Sequence, residues 1–228
     1  MYKPMIRAFS VGALAACLFA TSFVTVAVSK EKPPQNWDGL ELRKVKGIDL
    51  VYVRPDVQFT PYKSVLLQST QVEFSKDWKN SFDFSNRPTA TEMQKIKEKL
   101  AELMHEEFTQ ELVKHGYTVV DAPAEDTLEI RTAIIDLFIN APDTMSSNVT
   151  RSYTTSAGRM TLVLEAHDGP TGQLLARVVD GRSDDTMGGR LTWTNSATNT
   201  HEATQIIDDW AKDLREALDR LNGKEPKK

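Results

Sequence analysis

The sequence predicts an α+β protein: a mostly antiparallel β-sheet with two long helices packed on one face, preceded by a leader segment. Two segments, 89–115 and 200–222, repeat apolar residues at the spacing of amphipathic helices. A third segment, 160–182, alternates apolar and polar residues around a turn, as a β-hairpin does. Because runs of strands separate the two helices along the chain, an α+β layer is favoured over a regular βαβ alternation.

The first 29 residues form the leader. Lys3 and Arg7 precede a run of apolar or small residues, 8–28, and charge and proline follow it. This pattern is typical of a secretory leader. Three outcomes are compatible with it: cleavage after Ser29, lipidation at Cys17 with attachment to the outer membrane, or retention as a membrane anchor. Each outcome places the rest of the chain outside the cytoplasmic membrane, and the periplasm is the expected compartment.

Composition limits the domain organisation and the classes of function that the rest of the chain can have. We expect residues 30–48 to be a tether, 49–223 a single α+β domain and 224–228 a basic tail. The 228 residues carry a formal net charge of −4, which argues against a nucleic-acid binder. The one cysteine, Cys17, lies in the leader, so the domain is predicted to lack a disulfide.

Two strands and an aromatic loop begin the domain. The first strand, 49–53, is stopped by Arg54-Pro55, and the second, 64–74, is rich in Val, Leu and Gln. The loop 77–88 contains three aromatic residues, Trp78, Phe82 and Phe84.

The first helix, 89–115, has signals at both ends. Thr89-x-x-Glu92 fits a capping box, and Gly116 fits the position just past a helix end. Strands are expected next, over 117–121 and 127–139. The second of these is apolar on both sides after Ala133, which indicates a central strand covered on both faces and containing a bulge.

The hairpin 160–182 is the most strongly specified strand pair. Its turn runs from Asp168 to Gly172, where Gly172 is suited to a left-handed conformation. Asp168 is expected to accept a hydrogen bond from the Thr171 amide as a structural cap, and a contact with a partner is the alternative role. Polar, Ser- and Thr-containing segments flank the hairpin, 140–158 as a loop or frayed strand extension and 183–195 as a loop with Trp193.

Three stretches resemble a known family by their order and spacing. They are Asp126-Thr-Leu-Glu-Ile-Arg-Thr-Ala-Ile-Ile-Asp136, Leu164-Glu-Ala-His-Asp-Gly-Pro-Thr-Gly-Gln-Leu-Leu175 and Asp209-Trp-Ala-Lys-Asp-Leu-Arg215. Together they resemble the domain of unknown function 3313 (DUF3313) family of bacterial envelope lipoproteins, over most of residues 37–221. The resemblance implies an envelope location and no known activity.

No residue pattern indicates a cofactor. The histidines lack the spacing of a zinc-binding helix, and Asp184-Asp185 alone cannot supply the six or more oxygens of a calcium site. Neither a nucleophile elbow nor a phosphate-binding loop is present in the sequence. We therefore expect no metal and no cofactor.

The leading hypothesis is a non-enzymatic, exported accessory or binding module of the bacterial envelope. Its expected partner is another envelope protein, docked on loops 77–88, 140–158 and 183–195. The aromatic residues of two of these loops are interpreted as either partner contacts or lids over a sheet end: Trp78, Phe82, Phe84 and Trp193. The alternatives are a periplasmic hydrolase with its site in 183–195 and a carrier of an apolar small molecule.

Overall fold

The computed structural model describes residues 32–55, 62–82, 87–139, 152–154, 156–185, 192–194 and 196–224. Within these ranges the helices are α1 (Ala90–Lys114) and α2 (Ser196–Leu221), together with a short 3₁₀ helix at Trp78–Ser81. The strands are β1 (Asn36–Trp37), β2 (Leu40–Arg43), β3 (Leu50–Val53), β4 (Ser64–Leu67), β5 (Gln71–Phe74), β6 (Thr118–Val119), β7 (Thr127–Ile139), β8 (Ser152–Thr154), β9 (Ser156–Asp168), β10 (Leu174–Asp185) and β11 (Thr192–Thr194).

The described strands form one large mixed sheet in the order β1-β2-β3-β10-β9-β7-β4-β6, with β5 pairing with a later part of β7. All neighbours from β1 to β7 are antiparallel. By contrast, β4 and β5 run parallel to β7, and β6 runs parallel to β4. The parallel pairs arise because α1 crosses over between β5 and β6, and parallel neighbours need such a crossover. This mixed, mostly antiparallel sheet with two helices confirms the predicted fold class.

Both helices pack on one face of the sheet, and the main core lies between them and the strands. Glu111 of α1 pairs with Arg215 of α2, and Tyr117, just past α1, bonds Asp219. The later residue on the α1 side contacts the later residue of α2. The two helices therefore run parallel and begin at the same end of the sheet. The core includes side chains from both helices and from alternate positions of β9: Leu100, Met104, Phe108, Leu112, Ile207, Trp210, Leu218, Met160, Leu162, Leu164 and Ala166.

The helix ends follow local signals where such signals exist. Thr89 and Glu92 form the predicted capping box, with both hydrogen bonds present, and Gly116 has φ of +85°. The second helix begins at Ser196, four residues before its predicted start at 200. Its first turns are polar, so the apolar periodicity that marks the helix begins only after them.

The predicted tether 30–48 is wrong where it contains β1 and β2, which pair at the edge of the sheet. Asp38 and Gly39, with φ of 53° and 77°, are the two central residues of a tight hairpin turn. Asp-Gly is a strong local signal for such a turn, because both positions need positive φ. Trp37 then packs edge-on against Tyr52, with ring centroids 5.4 Å apart, and fixes this hairpin to β3.

The predicted strand 64–74 is two strands, β4 and β5, separated by Gln68–Thr70. Thr70 is buried there, and its hydroxyl forms a 2.7 Å hydrogen bond with the hydroxyl of Thr132. Both strands still pair with β7, so the interruption leaves the layer intact.

The long strand β7 has the bounds that the sequence predicts, 127–139, and it contains the expected bulge. The register with β9 shifts between Ile135 and Phe138, and Asp136 has φ of 52°. Because of this extra residue, Ile134 and Leu137 both contribute to the core beneath the helices.

The hairpin is longer than predicted. Its register runs from Leu174 opposite His167 to Asp185 opposite Ser156, so its far end includes residues assigned to the two flanking loops. Beyond it, β8 and β11 pair as a separate two-stranded ladder. These Ser- and Thr-containing segments lack apolar alternation, so the sequence predicts a loop for 183–195 and either a loop or a frayed strand extension for 140–158.

Candidate functional site

Parts of all three predicted loops lie at one end of the sheet, where β7 ends and the long hairpin begins. The 3₁₀ helix of loop 77–88 is attached there, because the Trp78 indole N–H donates to the Ile139 carbonyl at 2.8 Å. The β8–β11 ladder extends from the same end, and β11 leads into α2. We call this region the loop end; it consists of residues 78–82, 138–139, 152–154, 156–159, 181–185, 192–194 and 196–209. The opposite end, around Asp168–Gly172, is the turn end.

Trp78 is a lid over the core, which is one of the two roles predicted for it; the other, contact with a partner, does not fit a buried ring. Its side chain is fully buried, stacks on Phe74 at 4.0 Å between centroids, and contacts Phe82 edge-on at 5.2 Å. The ring closes the core where β5 and β7 stop, and its N–H satisfies a carbonyl at a strand end. Phe82 is half-buried against this ring.

Three other predicted positions are not tested by the structure. Cys17 and Phe84 lie outside the described residues. The backbone of Trp193 lies in β11 opposite Tyr153, and its side chain is outside the described part. Lipid attachment at Cys17 and partner contact through Phe84 and Trp193 therefore stay predictions.

A buried carboxylate, Asp180, joins the hairpin to α2 beside the loop end. One of its oxygens accepts a hydrogen bond from the Asp49 backbone N–H at 3.0 Å. The other accepts bonds from the Trp210 indole N–H and from Nε of Arg182, both at 2.8 Å. Arg182 also bonds Asp213 at 2.6 Å. These three donors, one of them a guanidinium, engage both oxygens of Asp180 and tie β10 to α2 and to the start of β3.

Next to this ion pair, a groove of about 420 Å³ separates the edge of β10 from α2. The strand side is formed by Gly181, Arg182 and Ser183. The helix side is formed by Glu202, Gln205, Ile206 and Asp209. The groove therefore combines main-chain groups of a strand with two carboxylates and an amide on a helix.

The face of the sheet away from the helices carries a row of paired charges. Glu165 accepts hydrogen bonds from Nε of Arg177 at 2.8 Å and from His167 at 3.1 Å. Arg177 also reaches Asp38 at 2.7 Å and lies 4.1 Å over the Trp37 ring. The His167 hydrogen bond, together with those of Arg177, outweighs burial and lowers the pKa of Glu165 to about 2. Glu165 is therefore ionised at neutral pH and links β9, β10 and the first hairpin.

At the turn end, Asp168 has the structural role that the sequence suggests. Its Oδ2 accepts hydrogen bonds from the Thr171 N–H at 3.1 Å and the Thr171 hydroxyl, and Gly172 has φ of 68°. These Thr171 hydrogen bonds are the main cause of the lowered pKa of Asp168. Its Oδ1 accepts the Tyr62 hydroxyl at 3.0 Å. Burial, and then this bond, raise the pKa of Tyr62 to about 12.

The described residues offer no cluster of His, Cys, Asp and Glu that could hold a metal ion. None of the helices in the described ranges combines the length and the apolar character needed to cross a membrane.

Sequence comparison gives the family. The profile of the family described as "Protein of unknown function (DUF3313)" matches residues 35–214, from just before β1 into α2. The chain belongs to the DUF3313 family. This match confirms the resemblance seen in the three sequence stretches, and its start at residue 35 agrees with a domain that includes β1 and β2. The sequence matches none of the curated proteins.

Several solved structures resemble the chain weakly. A minor lipoprotein from Acinetobacter baumannii is 13% identical, with 70% of this chain and 94% of that chain covered and a TM-score of 0.35. The PelC dodecamer from Paraburkholderia phytofirmans is 10% identical, with coverages of 74% and 97% and a TM-score of 0.38. Lipoprotein GNA1162 from Neisseria meningitidis is 10% identical, with coverages of 65% and 98% and a TM-score of 0.31. Likeness at this level carries no statement about what the DUF3313 protein does.

The groove was not predicted from the sequence, which signals only that Asp180, beside the groove, needs hydrogen-bond donors. Ala176 and Val178 of β10 pack against the core beneath the helices, and Asp180 is the next residue on that face. A carboxylate at a buried position of an alternating strand requires donors. The apolar stripe of α2 contains Trp210, whose indole N–H is a suitable donor.

Proposed function

We propose that this DUF3313 protein is an exported, non-enzymatic docking module of the bacterial envelope that binds another envelope protein through its loop end. The convergence of the described parts of all three predicted loop segments on one end of the sheet carries the proposal. Loops positioned by a rigid scaffold are where binding residues concentrate. The turn end, by contrast, is engaged in its own hydrogen bonds around Asp168.

The electrostatics of the described residues support binding over catalysis. A general acid or base works best when its pKa lies near the operating pH. Charge-assisted hydrogen bonds hold Glu165 far from that range, with a pKa of about 2, and Asp180 is bonded to Arg182 and Trp210. These buried carboxylates connect strands and helices, which is a structural task.

The leader supports the envelope location. If Cys17 is acylated, the chain from Cys17 to β1 reaches at most roughly 65 Å when fully extended. The domain would then stay close to the membrane surface and meet partners there. Cleavage after Ser29 would instead release the domain into the periplasm.

Co-purification from crosslinked cells, with matched surface variants, tests the docking role. Lys79 and Gln205 are exposed at the loop end, and Lys114 and Gln173 are exposed elsewhere on the domain. The double variant Lys79→Glu, Gln205→Glu is expected to recover at least about tenfold less of the partner than the wild type. The charge-matched double variant Lys114→Glu, Gln173→Glu is expected to recover it fully. Equal recovery by both variants would show that the loop end is not the docking surface.

A further inference from the structure

His167, near the turn end of β9, has a hydrogen-bond acceptor beside each of its ring nitrogens. Its Nδ1 lies 3.2 Å from the Gly172 carbonyl oxygen, and its Nε2 lies 3.1 Å from Oε2 of Glu165. The residue is only 7% exposed. A buried polar side chain obtains its hydrogen bonds from protein groups, so these two contacts account for both ring nitrogens.

Both of these oxygens can accept a hydrogen bond but cannot donate one. The Gly172 oxygen belongs to a peptide carbonyl, which carries no proton. Glu165 is ionised, because Nε and Nη2 of Arg177 lie 2.8 and 2.7 Å from its other oxygen, Oε1. A neutral imidazole has a single N–H group, so in either tautomer the second ring nitrogen would direct a lone pair at an oxygen. The imidazolium, with two N–H groups, donates to both oxygens.

The carboxylates around His167 stabilise a positive charge on its ring. Glu165 lies two positions earlier on β9, and Glu129 lies opposite His167 on β7. Burial opposes the ionisation of Glu129, but hydrogen bonds from Arg131 and Gln68 lower its pKa below the ordinary value. An anion near a histidine favours the charged form of the imidazole.

Other charged groups on this face are engaged with partners of their own. They are Arg131 of β7, bonded to Glu129; Arg177 of β10, bonded to Glu165 and Asp38; and Arg54, just beyond β3, bonded to the Leu174 carbonyl. Asp168, the next residue along the chain, directs its carboxylate to Tyr62 and Thr171. The charges of Arg131 and Arg177 are therefore offset by carboxylates, and the direct ionic contact of the ring is with Glu165.

We propose that His167 is a pH-sensitive switch in the β9–β10 hairpin. In its cationic form the ring joins the Gly172 carbonyl of the turn to the Glu165 carboxylate of the sheet. When the pH rises and the ring loses a proton, one of the two hydrogen bonds is lost, so the ring no longer connects the turn to the sheet. Histidine changes its charge in the physiological pH range, which suits it to this role. The switch lies at the turn end and is independent of the docking role proposed for the loop end.

The protonation state is measured directly by long-range proton–nitrogen correlation NMR on the full mature protein, isotope-labelled in its histidine side chains. The spectrum distinguishes the imidazolium from the two neutral tautomers, and the His167 signals are assigned by their absence from His167→Gln. At about pH 7.5, where an exposed histidine is mostly neutral, His167 is expected to carry both ring protons. The exposed His105 provides the reference within the same spectrum. A singly protonated His167 ring at this pH would overturn the inference.

The variant Glu165→Gln tests whether the ion pair retains the second proton. It removes the negative charge beside Nε2 and keeps a side chain of nearly the same size. At about pH 7.5 His167 is expected to be neutral in this variant and doubly protonated in the control Glu102→Gln, at an exposed position on α1. A doubly protonated ring in Glu165→Gln would show that the pairing does not retain the proton, and the switch would be contradicted.

Hydrogen exchange measures the effect of the switch on the turn. The Asp168 N–H bonds the Gln173 carbonyl at 2.9 Å, and the Gly172 N–H bonds the Asp168 carbonyl at 2.7 Å. After correction for the intrinsic pH dependence of exchange, the protection of these two amides is expected to fall at least about tenfold between about pH 6 and about pH 9. His105→Gln should show the same fall, whereas His167→Gln should show none, because glutamine does not titrate. Constant protection in the wild type, or an equal fall in His167→Gln, would overturn the inference.

Discussion

At the scale of single residues, the turn of the β9–β10 hairpin contains two glycines that are required for different physical reasons. Gly172 has φ of 68° and open space where a Cβ would lie, whereas a Cβ on Gly169 would lie 2.6 Å from the Thr127 carbonyl oxygen. Gly172→Val is expected to lower the free energy of unfolding by roughly 1–2 kcal/mol through backbone strain. Gly169→Ala should cost more, because the obstacle is backbone. Thermal denaturation measures the loss of stability in each variant. A larger loss for Gly172→Val than for Gly169→Ala would contradict this interpretation of the turn.

The Glu165 pKa predicts an acid dependence of stability. The folded value is about 2 and the ordinary value is 4.5, so between these pH values the unfolded chain binds more protons than the folded one. The contribution of Glu165 is therefore fully present above about pH 4.5 and is lost as pH falls toward about 2. Glu165→Gln should be less stable than the wild type at neutral pH and converge with it in acid. The exposed control Glu102→Gln should follow the wild type throughout.

Residue-level prediction succeeded for contacts between near neighbours. The Asp168 cap on Thr171 and the left-handed Gly172 could be read from the sequence because turn chemistry is local. The Tyr62–Asp168 and Asp180–Trp210 hydrogen bonds join residues separated by 106 and 30 positions. The fold alone brings these pairs together, so no local pattern could assign them.

At the scale of elements, Trp210 attaches α2 to the hairpin in two ways. Its ring is 2% exposed in the core, and its N–H donates to Asp180. Trp210→Ala is expected to cost about 3–5 kcal/mol of unfolding free energy, because it leaves a cavity and removes one of the two donors to Oδ2 of Asp180. Trp210→Phe keeps most of the ring and should cost less. Chemical denaturation measures both variants, and a loss under about 1 kcal/mol for Trp210→Ala would mean that α2 is not integral to the core.

Element prediction depended on the strength of the periodic signal. The first helix and the strand 127–139 were predicted closely because caps, apolar stripes and β-branched runs mark them. The first hairpin was missed, although Asp38-Gly39 is a turn signal, because its strands are only two and four residues long. The 64–74 segment was predicted as one strand because the tertiary Thr70–Thr132 contact, which accompanies its interruption, has no local signature.

At the scale of the whole molecule, the predicted processing of the leader would determine where the domain acts. The leader predicts an extracytoplasmic protein, so the intact mass of protein purified from its native envelope should correspond either to a chain beginning at Lys30 or to one beginning at an acylated Cys17. A full-length mass in the membrane fraction would indicate the retained anchor. An unprocessed protein in the cytosolic fraction would contradict export.

The layer architecture was predictable from the sequence, whereas the candidate site was predictable only in part. The three polar loops were identified in advance, but their meeting at one end of the sheet follows from the topology of β7, β9 and β10. The groove depends on where β3 stops pairing and where α2 lies, and both are tertiary facts. For Trp78 the sequence leaves an interface role and a lid role open, and its burial in the folded protein decides for the lid.

Site-specific photo-crosslinking in living cells tests the docking claim most directly. A photoreactive residue would be placed at exposed positions of the loop end, Asn80, Arg159 and Gln205, and at exposed positions of the turn end, Pro170 and Gln173. The docking account predicts a discrete crosslinked species with an envelope protein from the loop-end positions and none from the turn-end positions. Crosslinks that form only from Pro170 or Gln173, or equally from both ends, would contradict it.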